Sequence, residues 1–233
     1  MNDFAGLNVV VTGAGGELGL AVVGQLLQRG ANCHLPSRKP LDFGKIPSEA
    51  RARAHIAVGV DPADEGSVKA FFADLPRVWA SIHCIGAFDA KAFVDTGMED
   101  WNKLRAANAA SCFLFCREAV RGMKSSGGGR IVNVAARPAL EPRTGAGLVA
   151  YTASKAACAA LTEALAEEVA QDGILVNAVV PSMMNTAANR KAMPKAEFSR
   201  WPTLEEVGAT ILFLASPQNS VTRGALVPVY GKS

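Results

Sequence analysis

The chain has no strong charge imbalance, no run of apolar residues long enough to cross a bilayer, no Cys-x-x-Cys pair, no internal repeat and no low-complexity linker. Each absence excludes something. A net charge of only +3 gives no reason to expect nucleic acid or an anionic membrane as a partner. Without an apolar run of membrane length, no spanning helix is expected. Met1 to Leu7 lacks the basic and apolar regions of a secretory leader. The five cysteines include Cys112 and Cys116, four apart, but no His or carboxylate cluster joins them in sequence. They read as reduced core thiols in a reducing compartment, with no metal site. A cytoplasmic location is the resulting expectation. What is present is apolar mass: 49% of 233 residues are hydrophobic, enough for one sizeable core and too little for two comfortable domains. The expectation is one domain over residues 1–233.

β-branched runs alternate with helix-forming stretches along the whole chain. Val9–Val11, Asn32–Leu35, Ile56–Val60, Trp79–Ile85, Arg130–Val134, Ile174–Val180 and Ala225–Val229 read as strands. Helices are expected at Leu20–Gln28, closed by Gly30, from Asp61 as cap with Pro62 first, over Met98–Lys124 as one helix or two, at Tyr151–Ala170 before Gly173, and at Leu204–Leu214. Ala135–Ala150 and Met183–Pro202 read as loops, the second long enough to be a lid or binding loop. Strict alternation of this kind predicts an α/β fold: a Rossmann-type, doubly wound parallel sheet with helices on both faces. Ligands then bind beyond the carboxyl ends of the strands, where Gly13, Arg38, Gly86, Ala136 and Pro181 all fall.

Thr12-Gly13-Ala14-Gly15-Gly16-Glu17-Leu18-Gly19 joins the first strand to the first helix. In that context a glycine cluster lets the backbone approach a pyrophosphate at a helix N-terminus. After the second strand comes Pro36-Ser37-Arg38-Lys39, with no carboxylate before Asp42. Arg38 suits a 2′-phosphate, so NADP(H) is favoured over NAD(H). Tyr151 and Lys155 lie one helical turn apart. An ammonium that close is expected to lower the phenol pKa and make a tunable proton donor. Asn108 is a poor helix former inside a helical stretch, and its default role is a satisfied surface amide.

These motifs, in this order and spacing, resemble the short-chain dehydrogenase/reductase family over nearly the whole length. The resemblance rests on the T-G-x-x-x-G-x-G turn of Thr12–Gly19, Asn108, Ile131-Val132-Asn133-Val134, Tyr151-x-x-x-Lys155, and Pro181 to Thr186. It implies hydride transfer with a nicotinamide cofactor. Tyr151 would be the acid, Lys155 would bind the nicotinamide ribose, and Asn108 would hold a relay water. Gly13, Gly15, Gly16, Leu18, Gly19, Arg38, Asp61, Gly86, Lys155, Pro181, Met184 and Thr186 would hold the cofactor, with Asp61 at adenine. Ala136, Arg137, Tyr151, Arg190, Met193 and Trp201 would face the substrate. Three positions depart from the family: Glu17 stands for the middle glycine, Ser182 for the glycine after Pro181, and Ala136 for the catalytic Ser. The stretch from Asn189 to Trp201 is locally similar to the substrate-side loop of dihydropteridine reductases, which also work without that Ser; those enzymes prefer NADH and carry an acidic residue after the second strand.

The reading is an NADP(H)-dependent reductase of a small conjugated carbonyl or imine-like substrate. The alternatives are a general ketone or 3-oxoacyl reductase, or a nucleotide-binding regulator with weak catalysis. The apolar Cys112–Cys116 run and the Ala-rich Tyr151 helix suggest a homo-dimer or homo-tetramer.

Overall fold

The computed structural model describes residues 3–42, 44 and 48–233. Seven strands form one parallel sheet: β1 (Asn8–Thr12), β2 (Asn32–Ser37), β3 (Ala54–Val58), β4 (Val78–His83), β5 (Gly129–Val134), β6 (Ile174–Pro181) and β7 (Leu226–Val229). Their spatial order is β3-β2-β1-β4-β5-β6-β7. The helices are α1 (Glu17–Gln28), α2 (Ser48–Arg51), α3 (Glu65–Ala73), α4 (Met98–Leu104), α5 (Ser111–Ser126), α6 (Arg137–Leu140), α7 (Val149–Glu168), α8 (Ala187–Ala192) and α9 (Leu204–Ala215). No described helix is long and apolar enough to cross a membrane.

Side chains alternate across a strand, and β1 shows the result. Val9 and Val11 point into the core with Leu26, Leu27, Val207, Ile211 and Leu212. Val10 points the other way, into a core with Phe71, Phe115, Met123, Ile131 and Val176. Both faces are therefore covered, which is why the strands read as unbroken apolar runs rather than alternating ones. Each fully buried Leu, Ile or Val contributes about 1.5–3 kcal/mol relative to exposure.

Several elements differ from the sequence reading. The start of α3 is capped by Asp64, whose carboxylate accepts from the Ser67 N–H at 2.7 Å, not by Asp61. Asp61 instead accepts from the Ala63 N–H at 3.0 Å, closing a turn that contains Pro62. The stretch from Met98 onward, expected as one helix or two, is two helices, and what the sequence did not show is the π-helical turn that joins them, Arg105–Ala110. The supposed loop after β5 holds α6 and a 3₁₀ turn, Pro142–Gly145. The supposed lid holds α8 and a 3₁₀ turn, Phe198–Arg200.

After β3 the chain crosses the sheet to β4, so successive strands leave β1 and β4 in opposite directions. A crevice opens at that switch point, at the carboxyl ends of the strands.

Candidate active site

The glycine turn leaves β1 at this crevice. Gly13 has φ +71°, and a Cβ there would lie 2.8 Å from the Cys84 carbonyl carbon. A Cβ on Gly19 would run into the Gly13 carbonyl. Both positions thus require glycine for the turn to close against β4 and α1. The Ile85 N–H donates to Thr12 Oγ1 at 3.3 Å and holds the two strand ends together. Leu18 and Gly19 are buried in the first turn of α1.

Beyond the turn lies a groove of about 620 Å³ that gathers Gly13, Gly15, Gly16, Arg38, Asp61 and Gly86. Lys39 and Lys103 add to Arg38 as basic lining. Lys103 was invisible to sequence reading because it sits on α4, far along the chain. The helix N-terminus, the glycine-lined wall and the cationic rim together fit a dinucleotide.

At its inner end the groove meets the polar centre. A Cβ on Gly86 would lie 3.0 Å from Asn108 Oδ1 and 3.1 Å from Lys155 Nζ. Asn108 is 2% exposed, not a surface amide. Its Oδ1 accepts from the Ala87 N–H at 2.8 Å, and its Nδ2 donates to the Ala87 carbonyl at 3.0 Å and to Ser154 Oγ at 2.9 Å. Ser154 Oγ in turn donates to the Tyr151 carbonyl at 2.7 Å. Asn108 sits within the π turn, where the extra residue per turn leaves the helix ladder locally rearranged.

Lys155 is buried, and its Nζ donates to the Val134 carbonyl at 2.8 Å. Burial lowers its pKa. The expected lowering of the Tyr151 pKa is not found. Burial pushes it up to about 12, and the Cys158 thiol adds to the rise. The phenol therefore keeps its proton at neutral pH and is a donor rather than a base. Its ring packs edge-on against Phe88, centroids 5.0 Å apart. Phe88 is 64% exposed, so one aromatic wall stands open beside the hydroxyl-bearing ring. An exposed Phe just after a strand end is the signal that could have marked it.

Ala136 is buried and caps α6 in extended backbone, without any side-chain hydrogen bond. Arg137 is occupied elsewhere: it donates to Glu141 at 2.9 Å and the Ser233 carbonyl at 3.3 Å, and lies over the Tyr230 ring at 4.9 Å. Pro181 is buried at the end of β6. Thr186 caps α8, its Oγ1 accepting from the Asn189 N–H at 3.1 Å, while the Met184 carbonyl accepts from Asn189 Nδ2 at 2.8 Å. Arg190 donates to Asn185 Oδ1 at 2.6 Å and lies over Phe198 at 5.9 Å. Met193 ends α8, and Trp201 is buried against Phe198 at 5.1 Å. Arg190 and Trp201 thus both meet the Phe198 ring, the Met193 N–H donates to the Asn189 carbonyl at 2.9 Å, and none of the three pairs with Tyr151 among the described contacts.

His83 does join the cysteines, contrary to the sequence reading. One ligand atom each from His83, Cys112 and Cys116 lies within 4.8 Å of the others. Both ring nitrogens are already bonded, Nε2 with Ser81 Oγ at 2.8 Å and Nδ1 with Asn133 Oδ1 at 2.7 Å. Burial lowers the His83 pKa to about 4, so the ring is neutral. The cluster is a hydrogen-bonded polar knot in the core.

A sequence profile described as short chain dehydrogenase matches residues 7–197. The chain is 30% identical over 247 residues to the 2-(R)-hydroxypropyl-CoM dehydrogenase of Xanthobacter autotrophicus, covering 95% of this chain and 96% of that protein. It is 30% identical over 234 residues to the NAD-dependent glycerol dehydrogenase of Listeria innocua, covering 92% and 89%. A short-chain type dehydrogenase/reductase from Mycobacterium ulcerans has the same fold, with a TM-score of 0.88 over 98% of this chain and 90% of that one at 24% identity. Nucleotide groove, polar centre and family match agree, and the chain belongs to the short-chain dehydrogenase/reductase family of NAD(P)-binding oxidoreductases.

Proposed function

We propose that the chain is an NADP(H)-dependent reductase of a small, flat, conjugated carbonyl or imine-like compound of the dihydropterin kind. The observation that carries this reading is the pairing of a protonated Tyr151 beside Phe88 with an alanine, Ala136, where a second donor would stand. One donor suits a substrate whose developing charge spreads over a ring, and an exposed aromatic wall suits a flat one.

Gly13, Gly15, Gly16, Arg38, Asp61, Gly86 and Lys155 would hold the dinucleotide, with Leu18 and Gly19 shaping the turn and Pro181, Met184 and Thr186 on the nicotinamide side. When bound, the nicotinamide supplies the hydride. Tyr151 gives the proton to the reacting atom. Lys155 is held at the Val134 carbonyl, and Asn108 fixes the floor at Ala87. Arg190, Met193 and Trp201 would form the substrate side of the loop.

The test is oxidation of NADPH with a quinonoid dihydropterin beside a panel of simple ketones. Rapid turnover of the heterocycle supports the reading; turnover of ketones alone supports the second one, a general ketone or 3-oxoacyl reductase. The names of the two relatives, a hydroxypropyl and a glycerol dehydrogenase, favour that second reading. For self-association, exposed Phe113 and Trp101 line one groove with Leu161 and offer a face for a second copy.

Cofactor choice rests on Arg38 at the groove rim. Replacing Arg38 by Asp exchanges a phosphate partner for a like charge, and the NADPH-to-NADH affinity ratio should fall about 10- to 100-fold. Fluorescence titration of both cofactors reads it; tighter NADH binding by the parent would refute the NADP(H) reading.

The Tyr151 pKa gives a pH prediction. Reduction uses the protonated phenol and should be flat from about pH 6 to 9. Oxidation of the product alcohol or amine needs the phenolate, which is scarce below a pKa of about 12. Its rate should climb about tenfold per pH unit through the alkaline range, without a plateau near neutrality. A plateau near pH 7–8 would mean that the working complex lowers this pKa after all.

A further inference from the structure

The sequence departs from its family at Glu17, and the structure shows what that side chain touches. Glu17 is the first residue of α1, whose cap, Gly16, makes no side-chain hydrogen bond to the helix. The N–H groups of this turn are the ones a pyrophosphate would approach. The Glu17 carboxylate reaches out of the turn and accepts from the Ala187 N–H, at the start of α8, at 3.0 Å. The two residues are 170 positions apart. Among the described residues, the hydrogen bonds that leave segment 183–202 run to Lys232 and to Glu17. The first anchors the far end of the segment, at Arg200. Only the second ties its near end, and it ties it to the phosphate turn. No ion pair involving Glu17 occurs among the described residues; its exposed carboxylate takes the Ala187 N–H.

We infer that Glu17 is a positioning residue with two linked effects: it anchors the substrate-side loop to the phosphate turn, and it weakens dinucleotide binding there. The loop anchor starts from the turn whose N–H groups a pyrophosphate would approach, so its charge competes there with the phosphate's. The inference rests on the dinucleotide reading of the groove. A carboxylate within a few ångström of a phosphate, largely screened by water, is expected to raise the dissociation constant about five- to tenfold. In return, the chain gains a tether that a glycine at this position would not provide.

Two variants separate the charge from the tether. Glu17→Gln keeps an acceptor oxygen for the Ala187 N–H and removes the charge; Glu17→Gly removes both. Calorimetric titration with NADPH and NADH should show the dissociation constant falling about five- to tenfold in both variants. Amide hydrogen exchange of the cofactor-free protein, followed over residues 186–192, should stay near parental in Glu17→Gln. It should quicken by at least about tenfold in Glu17→Gly, where the N–H loses its partner. Parental affinities in both variants, with binding intact, would overturn the competition. Unchanged exchange in Glu17→Gly would overturn the tether. Binding of neither dinucleotide by parent or variants would overturn the cofactor reading itself, and the competition with it.

Discussion

Tyr151→Phe is expected to lower kcat by about 10²–10⁴-fold, the usual contribution of a positioned proton donor. The dissociation constant of the cofactor should move by less than about twofold, because the change removes only the hydroxyl. The ring contact with Phe88, at 5.0 Å, does not need that oxygen and should persist. Lys155→Ala should behave differently. Its Nζ is buried on the Val134 carbonyl and lies next to Gly86 in the groove wall, so both binding and turnover should suffer. Stopped-flow turnover beside fluorescence titration gives the two numbers. Near-native turnover by Tyr151→Phe on any accepted substrate would remove the phenol from the mechanism.

Ala136→Ser is expected to raise kcat/KM for simple ketones by about 10²–10³-fold, the cost commonly seen when one of a pair of oxyanion donors is lost. Reduction of a conjugated heterocycle should change little. The geometry leaves the new hydroxyl free to act. It would stand at the cap of α6, but Pro138 has no N–H to offer it, and the Ala139 N–H already donates to the Ala136 carbonyl at 2.8 Å. The nearby Thr144 hydroxyl is no substitute, since it donates to the Glu141 carbonyl at 2.8 Å. Comparing both substrate classes in parent and variant decides the matter. Fast ketone reduction by the parent, unaltered by the added hydroxyl, would refute the one-donor account.

The sheet was readable because its strands are buried on both faces. Val9-Val10-Val11 and Ile131-Val132 serve two cores at once and need no polar alternation. The Tyr151 helix was readable because it contains no Gly or Pro from Tyr151 to Ala170. The start of α3 was misassigned because Asp61 and Asp64 both satisfy local capping rules. What separates them is that Asp61 is committed to its own turn, its N–H held by Ser67 Oγ at 2.9 Å. The titration of Tyr151 was read in the wrong direction because a four-residue spacing gives proximity but not burial, and burial dominates here. The partner of Glu17 lies across the fold at Ala187, and no local pattern could name it. His83 met Cys112 and Cys116 for the same reason: β4 and α5 are adjacent only in space.

The π turn at Arg105–Ala110 has a consequence for how this chain can change length. It works as a one-residue insertion between α4 and α5. An α-helix turns about 100° per residue, so deleting one residue there would swing everything on one side by that angle. Either Asn108 would lose Ala87 and Ser154, or the buried row of Cys112, Phe115, Cys116 and Ala119 would leave its core. The polar centre and the hydrophobic core are thus set in one shared register. A shortened descendant would have to repair both at once.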